Sequence, residues 1–125
     1  MYIKTLEFEQ VKSIYHILTF ERLKNECDRP LTSINCSVTK KIKSLERKFQ
    51  KQIESTRRSD GVININLTVD ETMFVMDMIE QYKHDMLLLG EYEAKDLLYI
   101  DTLLATINLS SYINDEGRRA MYEDL

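Results

Sequence analysis

Chemistry in this chain would have to begin from very few groups. It holds two histidines, two cysteines and three glycines, and nucleophilic catalysis needs a Ser, Cys or Thr with a base beside it. His16 and His84 both fall on helix faces that the apolar pattern assigns to solvent, so no triad is legible. Cys27 and Cys36 flank Arg29-Pro30 at a spacing that permits a disulfide but matches no zinc or redox motif, and reduced thiols are expected. A metal site of Cys27, Cys36, His16 and His84 would use every Cys and His present, without the close pairing of zinc modules, and is not expected. Phosphate-cradling loops need clustered glycines, whereas Gly61, Gly90 and Gly117 stand apart, each explained by a turn. We therefore expect no catalytic residue and no cofactor.

The most enzyme-like pattern is two carboxylate pairs, Asp77 with Glu80 and Glu93 with Asp96. Facing one another from adjacent helices, such pairs chelate a hard cation. The spacing resembles the ExxE and ExxD pairs with which all-helical nucleotide pyrophosphohydrolases of the MazG type hold magnesium. That resemblance implies a metal-dependent nucleotide hydrolase as a third reading of the chain. The first pair here begins with Asp, no acidic cluster leads it, and Asp77 points away from the apolar stripe of its helix. A solvated acidic face of Asp70, Asp77, Glu80, Glu93 and Asp96 is the preferred account.

Charge is unevenly spread. Residues 1–58 carry 13 Lys and Arg against 7 Asp and Glu, a net +6, and residues 59–125 carry 4 against 14, a net −10, which together give the overall −4. Lys40, Lys43, Arg47 and Lys51, continued by Arg57 and Arg58, form a basic face that could meet phosphates about once per turn. Glu54 interrupts that face and no aromatic side chain interleaves with it for base stacking. An acidic protein surface is an equal candidate for its partner.

The elements that position these groups are read from periodicity. Ile63, Ile65, Leu67 and Val69 alternate with polar residues as one strand with a buried face. Thr68-Val69-Asp70-Glu71 has the form of a capping box, so a helix starts near Val69 and stops at Gly90. Its core stripe is Val75, Ile79, Tyr82, Met86 and Leu89, with Asp70, Asp77, Gln81 and His84 facing water. The next helix, about Glu93 to Leu109, is apolar around most of its circumference and is expected to be the most buried, or else to offer its surplus face to a partner. In the first half we expect a helix from about Glu9 to Glu26 with Val11, Ile14, Tyr15 and Leu18 inward. A second, capped by Ser37 and ending near Ser55, carries the stripe Val38, Ile42, Leu45, Phe49 and Ile53. Tyr2 to Leu6 is read as a short strand pairing with Ile63 to Leu67. After Ser110 we expect a turn at Asn114-Asp115-Glu116-Gly117 and a short helix from Arg118, in a loosely packed tail over 110–125 that docks through Met121, Tyr122 and Leu125 or frays. Leu6, Phe8, Glu9, Ile14, Tyr15, Ile17 and Leu18 match Leu67, Val69, Asp70, Val75, Met76, Met78 and Ile79 at a constant offset of 61, the pattern an internal duplication would leave.

The fold expected is thus mainly α: a four-helix bundle of two helical hairpins with a small two-stranded β element at residues 2–6 and 62–68, in one domain with a basic and an acidic half. No apolar run approaches the ~20 residues that cross a bilayer, and the N-terminus lacks a basic region followed by an apolar stretch; a cytoplasmic protein without membrane contact is expected. Four of six methionines lie in the third helix, and Met73 and Phe74, off its stripe, join Leu98 and Tyr99 as a candidate apolar interface. The preferred function is non-enzymatic binding of a protein partner through helical surfaces, with homo-oligomerisation a further expectation. Small size and Ile/Lys/Asn-rich composition suggest an accessory protein of a phage or mobile element from an AT-rich bacterium, of the kind that inhibits a host factor such as a defence nuclease. A small nucleic-acid-binding regulator using the basic helix 37–58 is the second reading.

Overall fold

A computed structural model describes residues 2–28, 33–56 and 61–123, with side chains described for 4–26, 37–56 and 61–108. The chain runs β1 (Tyr2–Glu7), α1 (Phe8–Asp28), α2 (Ser33–Ser55), β2 (Val62–Leu67), α3 (Val69–Leu89) and α4 (Ala94–Glu123). It is a helical bundle with one antiparallel strand pair, in which Tyr2 lies opposite Leu67 and Leu6 opposite Ile63. Pairing satisfies the backbone of both strands, and on their outer face Thr5 Oγ1 bonds Asn64 Oδ1 at 3.0 Å. On the inner face Leu6, Ile63, Ile65 and Leu67 are buried. Lys4 shares that face by the period-two rule and is fully buried with them.

Hydrogen bonds fix the helix directions. Arg22 reaches Glu46 and Lys43 reaches Glu26, so α1 and α2 are antiparallel. Lys83 reaches Asp101 across the α3–α4 hairpin. Lys24 reaches Asp85 while Phe20 stacks edge-on against Tyr82, so α1 and α3 run parallel. The chain therefore repeats a strand–helix–helix unit. Residues related by the offset of 61 take matching places: Leu6 and Leu67, Ile14 and Val75, and Leu18 and Ile79 are all buried, while Glu9 and Asp70 are exposed.

The capping box forms as its residues imply. Thr68 Oγ1 accepts from Glu71 N–H and Glu71 accepts from Thr68 N–H, both at 3.0 Å. Gly90 closes α3 at φ 71°, a left-handed conformation that glycine adopts without strain, and its N–H donates to Met86 O. Lys48 then ties three elements together by donating to Glu71 at 2.8 Å and to Asn66 O at 3.0 Å.

Several expectations are corrected. Helix α2 begins at Ser33, so Ser37 lies inside it and is not its N-cap. Helix α4 continues through 114–117 to Glu123. One interior glycine costs only about 1 kcal/mol relative to alanine, too little to break a helix by itself. Among the described residues the most buried helix is α1, not α4: α1 packs on α2, α3 and both strands, with Val11, Ile14, Ile17 and Leu18 buried. In α4 only Ile100, Leu103 and Ile107 are buried among the described residues, and Leu98 is 68% exposed. Val69 and Leu89, assigned to the core, are exposed because one has passed from strand to helix and the other reaches the end of the hairpin. No helix among the described residues is long and apolar enough to cross a membrane.

Candidate functional site

The residues singled out from the sequence do not converge on one site. The carboxylate pairs sit apart: with Lys83 opposite Asp101 in the antiparallel hairpin, Glu80 and Asp77 lie progressively further from the turn that holds Glu93 and Asp96. Asp70, Asp77, Glu80 and Glu93 are exposed, Glu93 pairs with Lys95, and Asp96 Oδ2 accepts from Glu93 N–H to cap α4. His16 is exposed on α1 and His84 on α3, and no three His, Cys, Asp or Glu side chains gather as a metal site among the described residues. The side chains of Cys27, Cys36, Met121, Tyr122 and Leu125, and Arg57 and Arg58 entirely, lie outside the described residues.

The proposed apolar interface divides in two. Met73 and Phe74 stand near the start of α3 beside α2, where the Lys41 ammonium lies 5.3 Å from the Phe74 ring centre. Leu98 and Tyr99 lie near the start of α4, which in an antiparallel hairpin faces the end of α3. About a dozen residues of α3 separate the two spots, or roughly 20 Å at 1.5 Å per residue.

The basic face is continuous over its described part. Lys40, Lys43, Arg47 and Lys51 are exposed on the side of α2 opposite Ile42, Leu45 and Phe49. Lys43 has Glu26 at 3.7 Å, whereas Lys40, Arg47 and Lys51 make no ion pair among the described residues. Glu46, by contrast, turns inward and is held by Arg22 Nε at 2.6 Å and Thr19 Oγ1 at 2.9 Å.

A groove of about 640 Å³ that the sequence does not predict is bordered by α1, α3 and α4. It exists because α1 and α4 scarcely touch along their backbones, meeting through Ser13 Oγ with Tyr99 Oη at 2.8 Å and Gln10 with Thr106 at 3.4 Å. The α1 wall presents Ser13, His16, Ile17 and Phe20, and the α3 wall presents Tyr82, Asp85, Met86 and Leu89. From the α4 side come Asp96, Tyr99 and Ile100, with Glu91 in the hairpin turn. The lining is thus largely apolar and contains three carboxylates with no lysine or arginine.

Beside the groove sits a half-buried ionic cluster. Lys24 Nζ contacts Asp85 Oδ2 at 2.5 Å and Glu21 Oε2 at 3.1 Å, joining α1 to α3. Glu21 is 3% exposed, and its Oε1 has no hydrogen-bond partner among the described residues. Burial pushes the Glu21 carboxyl up to about 7, Lys24 opposing and the neighbouring Asp85 carboxylate reinforcing the rise. Burial acts upward on Asp85 as well, but its hydrogen bonds and the Lys24 charge outweigh this and hold it below its ordinary value. The sequence offered two signals for this region: Ile17, Phe20 and Leu23 form apolar positions beyond the inward stripe of α1, and Lys24 and Asp85 are opposite charges at the offset of 61.

Compared with protein-family models, curated proteins and solved structures, the chain matches none.

Proposed function

We propose that this chain is a non-enzymatic binding protein that engages a protein partner through its helical surfaces, with the groove between α1, α3 and α4 as the docking site. The observation that supports this is the groove itself: an apolar concavity whose rim leaves Phe20 41% and Leu89 70% exposed. Large apolar side chains gathered at one surface mark interaction sites more often than scattered ones do. An Ile/Lys/Asn-rich composition extends the reading to a cytoplasmic accessory protein of a phage or mobile element that occupies a surface of a host factor such as a defence nuclease. Affinity capture with the wild-type chain and with Phe20→Ser/Leu89→Ser tests the docking site, since both side chains are exposed enough for the variant to fold. A specific partner is expected to fall at least ~10-fold in recovery with the variant, as for loss of interface anchors. Undiminished recovery, with helical content unchanged by circular dichroism, would remove the groove from the account.

A second reading, a nucleic-acid-binding regulator, is favoured by the exposed Lys40, Arg47 and Lys51, which no described carboxylate neutralises. Under it, changing Lys40, Lys43, Arg47 and Lys51 to Glu abolishes salt-sensitive retention on DNA or RNA, each lost phosphate contact lowering the salt slope by about 0.9. Retention that is absent in the wild type or unchanged in the variant would end that reading.

A further inference from the structure

Resting on the groove reading, we infer that the occupant is an amphipathic helix of about two to three turns carrying lysine or arginine along one edge of its apolar stripe. The walls dictate the shape. Ser13, His16, Ile17 and Phe20 follow the spacing i, i+3, i+4, i+7, and so do Tyr82, Asp85, Met86 and Leu89. Asp96, Tyr99 and Ile100 repeat its first three positions. Three helical ridges thus border one trough, the setting into which the side-chain row of another helix packs, ridge into groove. An extended segment would find no partner for its backbone, because the peptide groups of all three walls are spent within their own helices.

Charge fixes the edge. The Ser13–Tyr99 bond spans the trough between α1 and α4, and the acids on its lining are Asp85 on α3, Glu91 in the α3–α4 turn and Asp96 in the first turn of α4. There Glu91 is exposed and makes no ion pair among the described residues, while Asp85 is engaged by Lys24 and Asp96 caps α4 with one oxygen. A cation on the occupant finds Glu91 without an ion pair among the described residues, and Asp96 is also on the lining. A phosphate or an acidic helix edge finds no lysine or arginine on the lining to pair with.

The test is a displayed library of 15-residue helical peptides, randomised among Leu, Phe, Ala, Gln, Lys and Glu, selected on the full chain and counter-selected on Phe20→Ser/Leu89→Ser. Enriched peptides are expected to place apolar residues at i, i+3 or i+4, and i+7 with Lys beside them. Reversing the peptide's Lys to Glu, or Glu91→Lys in the protein, weakens binding at least ~10-fold, the factor that about 1.4 kcal/mol represents. Combining the two reversals restores much of it. Groove-dependent peptides indifferent to charge, or enriched in Glu, would overturn the basic edge and leave the groove standing. A selection yielding no groove-dependent helix would overturn both.

Discussion

Leu18→Ala is expected to lower the unfolding free energy by about 2–5 kcal/mol, and Leu98→Ala to change it by less than about 0.5 kcal/mol. The chemistry removed is the same. Leu18 is fully buried on the central helix, so its truncation leaves a cavity that its neighbours fill only in part. Leu98 projects from α4 with most of its surface in water. Urea unfolding of the two variants against the wild type measures both values. A loss above about 1.5 kcal/mol for Leu98→Ala would mean that this face is covered in solution, and the covering body would then be a second copy, since nothing else is in the tube. Unfolding midpoints that rise with protein concentration would confirm that alternative. The comparison therefore tests whether the apolar excess of α4 serves self-association or stays free.

Glu21→Gln is expected to stabilise the chain at pH 8 and to leave it nearly unchanged at pH 4. A carboxyl raised from 4.5 to about 7 in the fold contributes stability that is fully present below pH 4.5 and is lost as pH rises toward 7. With the side chain almost wholly buried, the loss across that window is on the order of 3 kcal/mol. Gln preserves the shape and removes the ionisation. Glu71 and Asp85 act in the opposite sense, because their lowered values contribute stability present above their ordinary range and lost in more acid solution. Burial raises Glu71 too, but Lys48 and the Thr68 cap overcome it. Stability of the wild type is accordingly greatest in mildly acid solution, near pH 5, and the Gln variant moves that optimum upward. Thermal melts from pH 4 to pH 9 decide it. A wild-type curve that climbs steadily from pH 5 to 8, with no gain from Glu21→Gln, would show that Glu21 ionises freely in the fold.

Most of the fold is legible in the residues because local signals agree with one another. Ile63, Ile65 and Leu67 alternate, Thr68 and Glu71 cap, and Gly90 ends what they begin. Ile42, Leu45 and Phe49 define the buried face of α2 and so the exposed position of its lysines. What escaped is what depends on how helices meet. Leu98 and Leu103 are the same residue type on one helix, and the way α4 lies against β1 and α3 exposes one and buries the other. Lys4 follows the strand's alternation into the interior, against the usual behaviour of its side chain. The groove belongs to this class too: each wall is an ordinary amphipathic stripe, and the cavity arises from the separation of α1 and α4, which no spacing within either helix records.

The most direct test of the groove is amide chemical-shift mapping on the uniformly ¹⁵N-labelled chain, titrated with the partner or with the tightest selected peptide. The largest shifts are expected on residues 13–20, 82–91 and 96–100, the three walls and the turn that joins two of them, while residues 40–51 stay still. Shifts concentrated on Lys40, Arg47 and Lys51, with the groove silent, would contradict it and give the basic face of α2 the binding role.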